Sequence, residues 1–285
     1  MRLPVQLLKR KPNTHKGDYG HILIIGGSVG LSGAVCLSAK AALRCGAGLV
    51  TVGVPKSLNN IFEIKLTEAM SLPLVDKGGA LSQEAFNSIK SFLKKADLIV
   101  LGPGIGLRTD TKKLVTRIVR EIDKPMVIDA DALTALASNL EVLLKRKTKT
   151  LVLTPHLGEF SRLIKLDVDK IKKSRKELVK KFALRYNLTL VLKGNRTLVS
   201  DGRRTFENNT GNPGMATAGT GDVLSGIISG LLAQGIDQFQ AATLGVYLHG
   251  LSGDYASKDK TQNCLIASDI IEYLPSVVKS LLKKS

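Results

Sequence analysis

The chain has 285 residues, 44% of them hydrophobic, and a formal net charge of +18. That apolar content supports a large buried core and excludes a disordered polyelectrolyte. No apolar run approaches the roughly 20 residues that span a bilayer, and the three cysteines form no CxxC pair, which fits reduced structural thiols rather than a metal knuckle.

The opening MRLPVQLLKRKPNTHKGDYG has no long apolar stretch, so neither a secretory leader nor a membrane partner is expected, and the expected location is cytoplasmic. HILIIGG (21–27) reads as a buried strand, and SGAVCLSAKAALRCGAG as a helix closed by Gly46 and Gly48. The strand LVTVGVP, a helix around Ser82–Lys95 and the strand ADLIVLGPG follow. A helix over Thr111–Ile122, the strand PMVIDA and a short helix from Asp131 come next. TLVLTP is a strand, and one basic helix, Val168–Tyr186, leads into the strand LTLVLKG. TLVSDGRRTFEN reads as a hairpin turned at Asp201-Gly202. Helices over Gly221–Gln234, Gln238–Ser257 and Ala267–Leu282 end the chain.

This alternation, with continuously apolar strands, predicts an α/β fold: a mostly parallel central sheet with helices on both faces. No linker interrupts it, so one domain, 1–285, is expected. In such sheets ligands bind beyond the carboxyl ends of the strands. The segments found there are GGSVGLSGA, GPGIGLRTD, DADAL, TPHLGEF and KGNRT, almost all small, polar or glycine-bearing.

The excess of Lys and Arg lies largely in stretches such as KIKKSRKELVKKFALR. With 4% aromatics, no Trp and no nucleic-acid-binding motif, it reads as a solvated basic surface, not a nucleic-acid site. A positive field still favours anionic small substrates. Against this background TGNPGMATAGTGDVLSG (210–226) is unusual: glycine-rich, without Lys or Arg, and carrying one acid, Asp222. A glycine loop entering a helix offers backbone N–H groups to a phosphate. Asp222 in the first turn is then either a base for a hydroxyl receiving that phosphate or an ordinary helix cap. Asp129 and Asp131 of DADAL are either Mg²⁺ or substrate contacts, or, for Asp131, an N-cap. GGSVGLSGA, with Gly33 and Ala34, lacks clean G-x-G-x-x-G spacing, and LVTVGVP ends without the acid a dinucleotide fold needs. A hydride-transfer dehydrogenase is therefore rejected, and the loop frames the substrate end of a pocket.

KGDYGHILIIGGSVGLSGA, AALRCGAGLVTV, LGPGIG, VIDADAL, LTPHLGEFSRL, VLKGNRTLV and NPGMATAGTGDVLSG occur in this order from about Lys16 to Asp269. Together they resemble the NAD(P)H-hydrate dehydratase family of the ribokinase-like superfamily. Some members carry an N-terminal epimerase domain; this chain begins almost at the dehydratase motif, so a stand-alone dehydratase domain is expected. The resemblance implies that ADP or ATP, with Mg²⁺, phosphorylates the ring hydroxyl of hydrated NADH or NADPH, and that phosphate then leaves. It implies Asp222 as the base and Gly219, Thr220 and Gly221 as an anion hole. It implies a nucleotide site of Lys193, Gly194, Asn195, Arg196 and Thr197 with Asn212, Gly214 and Gly221. The hydrated substrate falls to Gly33, Ala34, Gly104, Gly106, His156, Glu159 and Asp222. Glu159 is alternatively a helix cap or a water-mediated Mg²⁺ contact, and Gly104 and Gly106 are alternatively simple turn residues. A homotetramer is implied as well. The runner-up is a small-molecule kinase on the same fold, for a vitamin precursor or sugar alcohol; a third reading is a nucleotide-sensing or nucleic-acid-binding protein.

Overall fold

The computed structural model describes residues 12–283 together with Pro4 and Arg10. The reading of residues 1–20 as lacking a leader lies partly outside them. The chain opens with β1 (His21–Ile25), α1 (Ser32–Arg44), β2 (Leu49–Pro55), α2 (Asn59–Lys65) and β3 (Met70–Leu74). The short strands β4 (Asp76–Lys77) and β5 (Ala80–Leu81) pair only with each other. Then come α3 (Phe86–Phe92), β6 (Leu98–Leu101), α4 (Thr109–Glu121), β7 (Met126–Ile128), α5 (Asp131–Leu136), α6 (Glu141–Leu144) and β8 (Leu151–Leu153). Helices α7 (Leu157–Ile164), α8 (Val168–Lys173) and α9 (Arg175–Tyr186) precede β9 (Thr189–Leu192), β10 (Leu198–Ser200) and β11 (Thr205–Glu207). Helices α10 (Thr220–Ala233), α11 (Gln238–Lys260) and α12 (Ala267–Leu282) close the fold.

Nine strands form one sheet in the order β11-β10-β9-β8-β7-β6-β1-β2-β3. Every pairing from β9 to β3 is parallel; β10 and β11 add antiparallel at one edge. The apolar runs explain the two-sided cover. In β1, Ile22 and Ile24 face α1, α10 and α11, while Leu23 and Ile25 join the core beneath α3, α4, α5, α7 and α9. A third apolar cluster lies between α10, α11 and α12, so α12 packs on helices rather than on the sheet. Each fully buried Leu, Ile or Val contributes about 1.5–3 kcal/mol, and with both faces filled the strand ends are held rigidly.

The sheet grows outward from β1 to β3, and the chain then crosses to β6 on the other side of β1. This reversal opens a crevice at the carboxyl ends of β1 and β6, the usual ligand position in open α/β sheets. There the Gly27 N–H donates to the Pro103 carbonyl at 2.9 Å.

Two sequence expectations need correction. The basic helix 168–186 is two helices broken at Ser174 (φ −130°, ψ 29°), which lets Ile171 on one and Val179, Phe182 and Ala183 on the other reach the core. The hairpin turn is four residues, not two: Ser200 pairs with Thr205, and Asp201 Oδ1 accepts from the N–H groups of Arg203 and Arg204.

Candidate active site

The glycine loop delivers α10 to the carboxyl end of the sheet. Gly219 is its N-cap, at φ +91°, and a Cβ there would lie 2.5 Å from Leu37 Cδ1. No side chain caps this helix, which leaves the N–H groups and positive dipole end of its first turn without a side-chain cap. Asp222 is the third helical residue, and Val223 N–H returns to the Gly219 carbonyl at 3.0 Å. The helix-cap alternative for Asp222 therefore falls: the cap position belongs to glycine.

Around Asp222 gather side chains from three successive strand ends. Asp129 follows β7 and is fully buried; its Oδ1 accepts from Lys193 Nζ, which follows β9, at 2.6 Å. Asp129 Oδ2 is buried without a partner. Glu159, in the first turn of α7 after β8, lies 3.9 Å from the same ammonium. A Cβ added to Gly221 would lie 3.1 Å from Lys193 Nζ, which places the ammonium beside the first turn of α10. Burial, and then the charge of Asp129, push the Asp222 carboxyl up to about 7, with Lys193 opposing and Asp131 and Glu159 adding to the rise. Glu159 is likewise pushed up to about 7, chiefly by burial. Burial works against the Lys193 charge, but the carboxylates of Asp129, Glu159 and Asp222 more than reverse it and raise its pKa. One lysine thus serves several carboxyl groups, and the site is short of positive charge.

A cavity of about 670 Å³ opens beside this cluster. Of the residues expected at the site, it takes Lys193, Gly194, Asn195, Arg196, Thr197, Asn212, Thr220, Gly221 and His156 as lining. Its lining also includes the apolar side chains of Met215, Leu224 and Val246. The 193–197 turn is braced from α9: Arg175 donates to the carbonyls of Asn195 and Arg196, each at 3.1 Å, where Arg196 sits at φ +56°. Asn212 lines the cavity, but its side chain is committed to Gly214 N–H, Asp254 and Ser257. Gly214 lies outside the lining, packed against the Gln262 carbonyl.

The residues expected at the substrate divide: Gly33, Ala34, Gly104 and Gly106 lie at the β1–β6 crevice, whereas His156 lines the cavity and Glu159 and Asp222 belong to the cluster around Lys193. Gly33 and Ala34 start α1, and Ala34 lies against Gly104. Gly104 itself is buried at φ +58°, with Leu31 where a side chain would go, so turn geometry accounts for it. Gly106 N–H donates to Asp131 Oδ2 at 3.0 Å. Asp131 is thus the first residue of α5, tied to the crevice, and not its N-cap, which is Ala130. His156 and Glu159 form a capping box: His156 Nδ1 accepts from Gly158 and Glu159 N–H, and Glu159 Oε2 accepts from His156 N–H. The capping alternative for Glu159 is real, and leaves its Oε1 free of that bond.

Among the described residues no three His, Cys, Asp or Glu side chains are arranged to hold a metal. The carboxylate oxygens nearest such a role are the unpartnered Asp129 Oδ2 and those of Glu159, and neither residue lines the cavity.

Residues 22–276 match the family described as NAD(P)H-hydrate dehydratase. The chain belongs to the NAD(P)H-hydrate dehydratase family. Within that family it is 44% identical over 278 residues to the bifunctional NAD(P)H-hydrate repair enzyme Nnr of Moorella thermoacetica, covering 97% of this chain and 52% of the relative. The chain thus spans about half the length of the curated relatives it matches. Among solved structures it resembles the ADP/ATP-dependent NAD(P)H-hydrate dehydratase of Bacillus subtilis co-crystallized with ATP/Mg²⁺, at TM-score 0.82 and 28% identity, covering 98% of this chain and 95% of that one. A ribokinase-like superfamily protein of Enterococcus faecalis superposes at TM-score 0.81 and 28% identity, with 98% and 95% covered. The fold is ribokinase-like, and the small-molecule kinase alternative is not favoured by the family match.

The family motifs in the sequence did not include α11. Its LHGLSGD run places His249 on the Thr220 carbonyl and Asp254 on Gly211 N–H and Asn212. The signal was there: a His and an Asp five residues apart, separated by glycines, within an apolar helix.

Proposed function

We propose that this chain restores hydrated NADH and NADPH to the reduced dinucleotides, using ADP or ATP to phosphorylate the ring hydroxyl before phosphate is eliminated. The observation that carries this reading is the position of Asp222. It stands in the first turn of an uncapped helix, next to Thr220 and Gly221 of the cavity lining and in charge contact with Asp129, Lys193, Asp131 and Glu159.

The nucleotide enters the cavity with its base toward Met215, Leu224 and Val246 and its phosphates toward the 193–197 turn. The terminal phosphoryl meets the N–H groups at the start of α10, and Lys193 offsets its charge. The hydrated ring lies in the crevice framed by Gly33, Ala34 and Gly106, with His156 at its border. Asp222 accepts the hydroxyl proton as the oxygen attacks phosphorus; the bond to the leaving nucleotide breaks, giving AMP from ADP or ADP from ATP. Hydroxide is a poor leaving group and phosphate a good one. The ring nitrogen's electron pair expels phosphate with the C–O bond, and loss of a proton from the neighbouring carbon restores the double bond. Mg²⁺, when bound, neutralises phosphate charge.

The same reading includes a cytoplasmic homotetramer that binds neither nucleic acid nor membrane. Three free cysteines support the compartment. Surface pairing of the cations, as in Lys176–Glu207, Lys172–Asp169 and Lys181–Glu177, supports a solvated basic face. No described helix is long and apolar enough to cross a membrane.

The test is direct. Hydrated NADH is incubated with the protein, Mg²⁺ and ADP or ATP, and absorbance in the reduced-nicotinamide band is followed. Nucleotide-dependent recovery is expected; its absence with both nucleotides rejects the reading.

A further inference from the structure

His249 is an interior histidine that the phosphoryl-transfer chemistry does not use. It stands on α11 and lines the cavity together with Thr220, Gly221, Leu224 and Val246. Its Nε2 lies 2.9 Å from the Thr220 carbonyl. A carbonyl only accepts, so Nε2 carries the proton. Burial pushes its pKa down to about 4, more than the Thr220 hydrogen bond raises it, so the ring is neutral. The neutral ring then has a lone pair at Nδ1, which is an acceptor. Nδ1 has no hydrogen-bond partner among the described residues.

The location decides what such an acceptor meets. The first turn of α10 marks the phosphate end, and the apolar wall marks the base end. His249, hydrogen-bonded to the Thr220 carbonyl, adjoins the phosphate end, and the part of a nucleotide next to its phosphates is the sugar. A phosphate offers no donor to a lone pair at neutral pH, and an adenine buried against Leu224 and Val246 lies further along. The groups with an O–H to give are the ribose hydroxyls.

We infer that His249 is a specificity-determining residue that accepts a hydrogen bond from a ribose hydroxyl of the nucleotide through Nδ1, while Nε2–H ties the sugar end of the cavity to the Thr220–Gly221 turn. Ribonucleotides are therefore preferred over deoxynucleotides, and sugar recognition is mechanically joined to the phosphate-binding turn. The inference rests on the proposal that the cavity takes ADP or ATP.

Calorimetric binding of ADP, 2′-deoxy-ADP and 3′-deoxy-ADP tests it apart from turnover. The wild type should bind at least one deoxy analogue about tenfold more weakly than ADP, the effect of one buried hydrogen bond. His249→Gln retains a donor where Nε2 stood and removes the acceptor, so this gap should close. His249→Asn keeps an acceptor near Nδ1 and loses the Thr220 contact, so the gap should persist while all three nucleotides bind more weakly. A purely structural histidine would weaken all three equally in both variants. Equal binding of all three by the wild type, or a gap that survives in His249→Gln, overturns the inference. Should His249→Gln not fold, ¹⁵N spectra of the wild type decide: the Nδ1 resonance must move on adding ADP and move less with the discriminated analogue, and an unmoved Nδ1 overturns the inference. Failure of any nucleotide to bind would instead reject the proposed function.

Discussion

Lys193 reaches from the end of β9 across β8 to Asp129 at the end of β7, an Nζ–Oδ1 distance of 2.6 Å. This pair sets the charge state of its neighbours. Asp129 is the second-largest cause, after burial, of the raised Asp222 pKa, and Lys193 the largest opposing one. Asp129→Asn should therefore lower the Asp222 pKa from about 7 and shift the alkaline-rising limb of the kcat profile toward acid. Removing one member of a buried pair also costs stability, here about 3 kcal/mol. A pH–rate profile and a denaturation curve measure both; an unmoved rate limb would detach Asp129 from the base.

Asp222→Asn should reduce turnover by about 10²–10⁴-fold while nucleotide affinity is retained, because the N–H groups and Lys193 remain. Steady-state rates and calorimetric binding separate the two quantities. Near-normal turnover in the variant would remove Asp222 from the mechanism.

The same residue makes a stability prediction of fixed sign. Asp222 and Glu159 have folded pKa values raised to about 7 from ordinary values of 3.8 and 4.5. Between these limits the folded chain holds protons that the unfolded chain releases. Stability is thus full below the unfolded values and declines as pH rises through about 7. Asp222→Asn removes one such group, so the variant should be more stable than wild type above pH 7, on the order of 2 kcal/mol after solvent screening. The gap should shrink as pH falls toward 4. Melting temperatures of both proteins across that range, without ligand, measure it; a constant gap would mean that Asp222 ionises normally.

Legibility followed locality. The strands HILII and LVTVGVP and the helices at Ser32, Asp131 and Ala267 appear where apolar periodicity and turn residues put them. The carboxyl-end rule brought Lys193, His156 and Asp129 to one edge because Lys193 and Asp129 directly follow parallel strands and His156 stands three residues beyond one. Missed elements lacked such signals. β3 (MSLPL) carries a proline and two exposed residues at the sheet edge, and α6 has only four residues. Ser174 breaks the basic helix for tertiary reasons, and Arg175, just beyond, is one more cation until the fold brings it to the 193–197 turn. His249 was passed over within the largely apolar α11, because its partner Thr220 is 29 residues away.

Arg175 therefore carries its own prediction. It holds the Asn195 and Arg196 carbonyls with both terminal nitrogens. Arg175→Ala releases a turn that includes a residue at positive φ, so the nucleotide KM should rise about tenfold, with a smaller change in kcat. Arg175→Lys, a point charge without the planar fork, should recover little of the loss. Initial-rate kinetics over nucleotide concentration check this; an unchanged KM in Arg175→Ala would show that the turn is rigid without its brace.

The approach of α10 to α1 links fold stability to chemistry. A Cβ at Gly226 would stand 2.2 Å from the Ser38 carbonyl oxygen and 2.8 Å from Ala41 Cβ. Neither obstacle is a flexible side-chain end, so Gly226→Ala must displace one helix from the other. Overpacking of this kind costs about 1–3 kcal/mol, which for a chain of this size lowers Tm by roughly 2–10 °C. The displaced helix is the one whose first turn carries Thr220, Gly221 and Asp222. Shifts of a few tenths of an ångström at a phosphoryl-transfer centre lower the rate before they lower affinity, so kcat should fall about tenfold with nucleotide Kd nearly unchanged. Thermal melts and single-turnover rates measure the two effects. A variant with lowered Tm but full kcat would show that the first turn of α10 is anchored independently, through His249 and the Thr220 carbonyl rather than through the α1 contact.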